Sequence, residues 1–378
     1  MKRPIDRITI VGDAGEWELF ERVEITHDLS SPSVATIALG DDGAYSQMLS
    51  TMRPGSKWSL WIGNALQLAG RVEVFDWPAD ESGIKVGLTI KTKLSDAQYA
   101  SASTSTRVYD TSIEDFIVQL FAQIGYKRED FIFEGSTRVD LMSGKKSKVS
   151  KASTTLEPID AKAAKVSPGE TIFEAASRHL ERHGLLLLDH PDGRIQIYRP
   201  DLKADPHYRF FLRRSGPETQ ANNILRARPS LDWSESPSEV VVYGVTWGAE
   251  LEKAPIFAKV TNDEVQARFS ETGMFARRVI QVQNQLRTAE QARNKARREM
   301  SNLRRRQDAW TIDTDGAGYF DGEKEVQFCP GTIINVDVEG TQDADYFCHH
   351  VRIVSDENGT VSSLEMTRAD LIDFGAAA

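Results

Sequence analysis

The chain of 378 residues is nearly without cysteine: Cys329 and Cys348 are its whole complement. Two thiols cannot build a disulfide framework or a four-cysteine zinc cage, so the fold must be held by buried apolar surface. A surplus of positive charge is missing too. With 46 Lys and Arg against 56 Asp and Glu, the formal net charge is −10, which argues against a protein that coats nucleic acid. No apolar run approaches a membrane span, and the opening MKRPIDRITIVG lacks the apolar core of a secretory signal. A reduced, soluble protein made in the cytoplasm is expected. P-loop, G-x-G-x-x-G and G-x-S-x-G patterns are absent as well. Carboxylates are plentiful, but none is singled out as half of an acid–base pair. No catalytic, cofactor-binding or metal-ligating residue is assigned, and no cofactor is expected.

What is present is a chain large enough for several cores, with 40% hydrophobic and 27% charged residues. The most legible stretch runs from Ser167 to Pro200. Ser167 with Glu170, or Thr171 with Glu174, offers a capping box, and Pro168 suits a first helical turn. Ile172, Ala175, Ala176, Leu180 and His183 recur at helical spacing, and Gly184 stands where the chain must turn left-handed to stop. Leu185 to Leu188 reads as a strand too apolar to face water. Pro191-Asp192-Gly193 then turns it into the alternating Arg194 to Tyr198. A looser copy of this unit lies upstream. There Thr111 and Glu114 cap a helix whose stripe is Ile113, Phe116, Ile117, Leu120, Phe121 and Ile124, and Gly125 stops it.

Both ends of the chain read as strands, and they repeat. Pro54-Gly55-Ser56 launches Lys57 to Ile62, and Pro330-Gly331-Thr332 launches Ile333 to Val338. Each strand is followed by a second, ending Arg71 to Val74 or Val351 to Val354, then a turn with Gly83 or Gly359, then a third. Upstream, Ala35-Thr36-Ile37 matches Trp310-Thr311-Ile312. The pattern implies a duplicated β module at each end of a helical middle. The expected fold is a β-rich α+β multidomain protein, two similar antiparallel β-barrel modules flanking a helix-containing middle. The expected boundaries are 1–103 for the first module and 104–212 for the middle, with a mobile loop at 134–166. The second module is expected at 213–250 plus 308–371, with 251–307 inserted and carrying a long helix. In that helix Leu286, Ala289, Ala292, Ala296, Met300 and Leu303 make one face.

The helix with Thr171-x-x-Glu174-Ala175 at its start, the stop at Gly184 and the Asp192-Gly193-Arg194-Ile195-Gln196-Ile197 hairpin together resemble the central module of the baseplate hub of contractile phage tails. That family includes the late-control D proteins, the Mu-like tail hub, the T-even hub and the first part of type VI secretion spike proteins. With the Pro-Gly repeat, the resemblance spans nearly the whole chain, and length and order look most like the Mu-like hub. It implies a homotrimer in which six similar barrels form a pseudo-six-fold ring joining a six-fold tail tube to a three-fold spike. The implied partners are the spike, the tube and other baseplate proteins, with no membrane and no nucleic acid beyond DNA passing through the lumen. The implied place is the virion tail, assembled in the host cytoplasm. The alternative function is a tail-associated cell-wall hydrolase.

Three residue groups invite chemistry. His179 and His183 share a helix face, but Glu181 between them makes neither HExxH nor HxxEH, so a surface or half-buried pair is expected. His349 and His350, adjacent on a strand, should point to opposite faces. Arg293, Lys295, Arg297, Arg298 and Arg304 to Arg306 form a basic helix without aromatic interleaving. Its expected role is a solvated face answering acidic neighbours, against the alternatives of subunit salt bridges or lumenal DNA.

Overall fold

The structure, a computed structural model, describes residues 7–12, 15–18, 20–39, 53–77, 79–80, 83–84, 86–103, 112–133, 138–139, 146–147, 166–181, 184–217, 222–244, 256–273, 277–283, 286, 289–320, 325–341 and 343–374. Alternation of apolar residues sets the first module: β1 (Ile8–Gly12), β2 (Arg22–Asp28), β3 (Val34–Leu39), β4 (Lys57–Ile62), β5 (Ala65–Asp76) and β6 (Val86–Thr92). Every second residue of β2, β4 and β6 is buried, as the pleat requires of a sheet with one covered face. Their spatial order is β1-β4-β5-β6-β3-β2.

The second module repeats that order. Its strands are β10 (Tyr208–Leu212), β11 (Arg226–Ser230), β15 (Ala309–Asp315), β16 (Ile333–Val338), β17 (Ala344–Asp356) and β18 (Gly359–Arg368), arranged β10-β16-β17-β18-β15-β11. The Pro-Gly turns anchor the equivalence. Gly55 (φ 89°) donates its N–H to the Val72 carbonyl and Val72 donates to Ser56. Gly331 (φ 83°) donates to Cys348 and Cys348 to Thr332 in the same way. Each pair of matching residues is 276 positions apart, and so are Gly83 and Gly359. The ladder slips between Val72 and Val74 in β5, and at the matching place, between Cys348 and His350, in β17. Ala35 opposite Ile90 and Trp310 opposite Met366 confirm the upstream match. The third element of the sequence pattern is four residues out, because Arg71 to Val74 corresponds to Phe347 to His350 and not to Val351 to Val354. One strand breaks the likeness: β1 runs antiparallel to β4, whereas β10 runs parallel to β16.

Between the modules lies the helical middle. Helix α1 (Ser95–Tyr99) leads to α2 (Ile113–Ala122), β7 (Phe131–Phe133), α3 (Ile172–Glu181), β8 (Leu186–Asp189) and β9 (Ile195–Tyr198). The cap of α3 is Thr171 with Glu174: the Thr171 hydroxyl accepts from the Glu174 N–H at 3.1 Å, and the Glu174 carboxylate accepts from the Thr171 N–H at 2.9 Å. At α2 the cap is Ser112, which takes the Asp115 N–H at 3.2 Å, one residue later than expected. Strand β9 pairs with β7 in parallel and with β8 antiparallel. The run Leu185 to Leu188 is apolar throughout because both faces are covered. Leu185 and Leu187 join the helices' core with Phe116, Phe121 and Ile172, while Leu186 and Leu188 pack with Leu29, Ile333, Phe347 and Phe374. The proposed loop at 134–166 and its lysines fall outside the described residues, apart from Arg138–Val139 paired with Lys146–Ser147, and Val166.

Two strands sit elsewhere than the expected boundaries put them. Tyr208–Leu212, read as the end of the middle segment, pairs with β16 and buries Tyr208 and Phe210 in the core of the β modules. Strand β12 (Glu239–Gly244), read as part of the second module, instead pairs with β13 (Phe257–Thr261) and β14 (Arg278–Gln283) in a separate sheet. There Val240 and Val242 lie under the long helix. That helix, α5 (Ala289–Arg304), follows α4 (Asp263–Thr272) and buries Ala292, Ala296 and Met300 against them; Ala289 is exposed. Small residues allow the helix to lie close on the sheet, so bulk or charge there is costly. Ala292→Arg should lower stability by about 3 kcal/mol or more, against under about 0.5 kcal/mol for exposed Arg293→Ala. Urea unfolding of both variants measures the difference.

Candidate functional site

The two modules meet edge to edge. Strand β17 of the second module pairs with β2 of the first, and this fuses both into one sheet of thirteen strands, the thirteenth being the short Gly15–Trp17 paired with β1. The core is continuous across the junction, with Val23 and Ile25 beside Val351 and Ile353. The extra residue at the β17 bulge lets Cys348 and Val351 both face that core, and it turns His350 outward.

Charged and imidazole side chains line the junction. His350 Nδ1 lies 2.9 Å from Asp28 Oδ2, and Arg352 donates to Glu24 at 2.7 Å. Burial works against the Asp28 carboxylate, but hydrogen bonds from His350 and Ser30 outweigh it and hold the group well below the usual carboxylate range. The Asp28 hydrogen bond in turn raises His350 against the effect of burial. His27 is 8% exposed, with Nδ1 2.9 Å from the Ser33 hydroxyl. Burial, assisted by His350, pushes it down to about 4. His349 is also pushed to about 4, by burial and then by the Arg305 guanidinium. Asp189 at the end of β8 ties the middle hairpin to the first module, accepting the Ser33 N–H at 2.6 Å and the Thr92 hydroxyl at 2.7 Å. Its burial raises it to about 6.

The residues singled out for chemistry are dispersed. His179 is buried at 2% exposure with its ring 4.6 Å from Phe116, while His183 lies outside the described residues. Cys348 is a buried thiol pushed up by desolvation, and neither Cys329 nor Cys348 is in a disulfide. Among the described residues no group of three or more His, Cys, Asp or Glu could hold a metal ion, and no helix is long and apolar enough to cross a membrane. The basic face of α5 meets acidic neighbours, but it is not the solvated face expected, since Arg298 and Arg304 are largely buried: Arg298 reaches Glu181 at 3.1 Å, Lys295 reaches Glu299 at 3.4 Å, and Arg297 reaches Asp373 at 3.5 Å. Sequence reasoning missed the junction itself. His27 and Asp28 carry no motif, and the residues opposite them across the junction, Val351 and His350, lie more than 300 residues away; the one available signal was charge alternation on β2.

Exposed apolar side chains cluster away from this junction. Val74 (49%) and Trp77 (51%) sit at the end of β5, and Leu225 (62%) and Leu231 (72%) flank β11. Phe257, Ile280 and Val282 are exposed on the inserted sheet.

A β-rich multidomain chain whose two like modules share one sheet has the fold of phage tail proteins. It is similar to the 43 kDa tail protein of prophage MuSo2 from Shewanella oneidensis, with a TM-score of 0.74 at 18% identity over 97% of this chain and 100% of that one. A tail protein from Neisseria meningitidis MC58 gives 0.71 at 17% identity, over 97% of both chains. An Escherichia coli type VI secretion component, described as similar to the bacteriophage T4 tail proteins gp27 and gp5, gives 0.51 at 8% identity over 95% of this chain and 75% of that one. No protein-family model and no curated protein sequence matches the chain.

The junction should respond to acid. His27 and His349 are held neutral, so their contribution is present above the unfolded value near 6.5 and is lost as pH falls from there to about 4. Two groups oppose this within the window. The raised His350 is stabilising when protonated, and the raised Asp189 is relieved as it protonates. His27→Gln should therefore flatten the acid loss, retaining about 2 kcal/mol more at pH 5 relative to pH 7 than wild type retains. Urea midpoints at the two pH values give the comparison.

Proposed function

We propose that the chain is a structural protein of a phage tail, the hub of a contractile-tail baseplate. Three copies make a pseudo-six-fold ring that joins the six-fold tube to the three-fold spike. The supporting observation is the duplication: one strand order and one Pro-Gly hydrogen-bond pattern occur twice in a chain whose fold matches a Mu-type prophage tail protein from end to end. Three chains with two like modules each supply six like positions, which is what a three-fold object needs to meet a six-fold one.

In this reading the protein works by shape and not by catalysis. Its partners are two further copies, the spike, the tube and neighbouring baseplate proteins, and its place is the virion. The working division is a first module to residue 103, a middle to about 207, a second module from β10 to residue 371, and an insertion of β12 to β14 with α4 and α5. Sedimentation equilibrium over a range of concentrations tests the proposal. A species of three times the 42.2 kDa chain mass is expected. A monomer at every concentration, with spike protein present or not, would sink it, and release of fragments from peptidoglycan would favour the hydrolase instead.

A further inference from the structure

The junction between the modules has an unfilled counterpart, one half of it in each module. Strand β17 uses one edge twice: Ala344 to Phe347 pair with β16, and His350 to Asp356 pair with β2. Its equivalent, β5, pairs with β4 from Ala65 to Arg71. Beyond that point the same edge, at Val74 to Trp77, has no strand partner among the described residues. Likewise β2 is paired on both edges, whereas its equivalent β11 is paired only with β15 among the described residues. The two open edges are the halves of a second junction, and they cannot both be filled by one open chain.

We propose that β5 of one copy pairs antiparallel with β11 of the next, head to tail, in the register of the internal junction. This rests on the trimeric reading and assigns its subunit interface. Transferring the observed register places Val74 opposite Asp232, Phe75 opposite Leu231, Asp76 opposite Ser230 and Trp77 opposite Pro229. The transfer has three consequences. Phe75 and Trp77 take the places of the core residues Val351 and Ile353, and Leu231 and Pro229 take those of His27 and Ile25. Exposed Trp77 and Leu231 thus become buried in a core continuous between copies. Asp76 and Arg228 fall on the diagonal that Arg352 and Glu24 occupy in the internal junction, where the ion pair measures 2.7 Å. The charges are exchanged between the strands and remain opposite. Arg228 now rests on Asp313 at 3.0 Å, still 46% exposed, so it needs little movement to reach a second carboxylate. Pro229 has no N–H and leaves a gap in the edge's row of donors, which disfavours indiscriminate extension.

Asp76→Arg and Arg228→Asp should each set like charges together and raise the dissociation constant of the oligomer by roughly 100-fold. The double variant should restore it, which a folding defect would not do. A mixture of Val74→Cys chains with Asp232→Cys chains under oxidised glutathione should give a covalent dimer, and neither variant alone should. A wild-type trimer that tolerates both reversals and yields no crosslink overturns the edge pairing while leaving the trimeric reading intact. A wild type without any oligomer overturns both.

Discussion

The pairing of β2 with β17 is the contact on which the rest of the molecule depends. It joins residues 322 positions apart, and the helical middle and the inserted sheet both lie within the loop that it closes. Such a loop is less expensive than it looks, since closure entropy grows only with the logarithm of length. What holds the register is burial. With Val23 and Ile25 in the core beside Val351 and Ile353, a slip of one residue would expose that whole set. The bulge beside Cys348 serves the same end, because it carries a strand that is paired with β16 at its start over to β2 without turning its apolar residues out of the core.

The middle domain acts on this framework as a wedge with two apolar faces. Its hairpin β8–β9 gives Leu187, Ile195 and Ile197 to the helices, and Leu186 and Leu188 to the second module and the C-terminal tail. Asp189 then hydrogen-bonds Ser33 and Thr92 of the first module. Glu181 at the end of α3 meets Arg298 of the inserted helix. The first module, the second module and the inserted helix are thus tied together through one hairpin and its preceding helix. Arg298 of α5 is accordingly a partner in this tie.

Much of this was legible, and the limits were physical. Caps, helix stripes and glycine stops are local, so the α3 unit could be read directly, and the Thr171–Glu174 box forms as its spacing demands. The duplication was visible because Pro-Gly turns recur in both copies. It slipped at Arg71 to Val74 because β5 and β17 are long strands, and a shift by an even number of residues leaves period-two alternation unchanged. Pairing between distant strands leaves no mark on spacing, which is why β10 and β12 were put in the wrong neighbourhoods. For the same reason His27 and Asp28 passed unnoticed. The cap of α2 moved by one residue because Thr111 and Ser112 each carry a hydroxyl oxygen able to accept a backbone N–H, and sequence alone gives no ground for choosing between them.

A junction within a chain and a junction between chains face different constraints, and the two edges reflect that. Inside the chain the partner is tethered, so the pairing can absorb the desolvation of His27 and His349 and still form. Between chains, association must first overcome the loss of translational and rotational freedom. Polar groups that end up poorly paired would weaken it further. At the open edges the buried imidazole at His27 is replaced by Leu231, and Ile353 by the larger Trp77, so apolar surface is enriched where no tether helps. Unpaired strands of this kind are aggregation hazards in a monomer. Arg226, Arg228, Asp76 and Pro229 are placed to limit that hazard, since their charges and the missing N–H admit a complementary edge and penalise a copy of the same one.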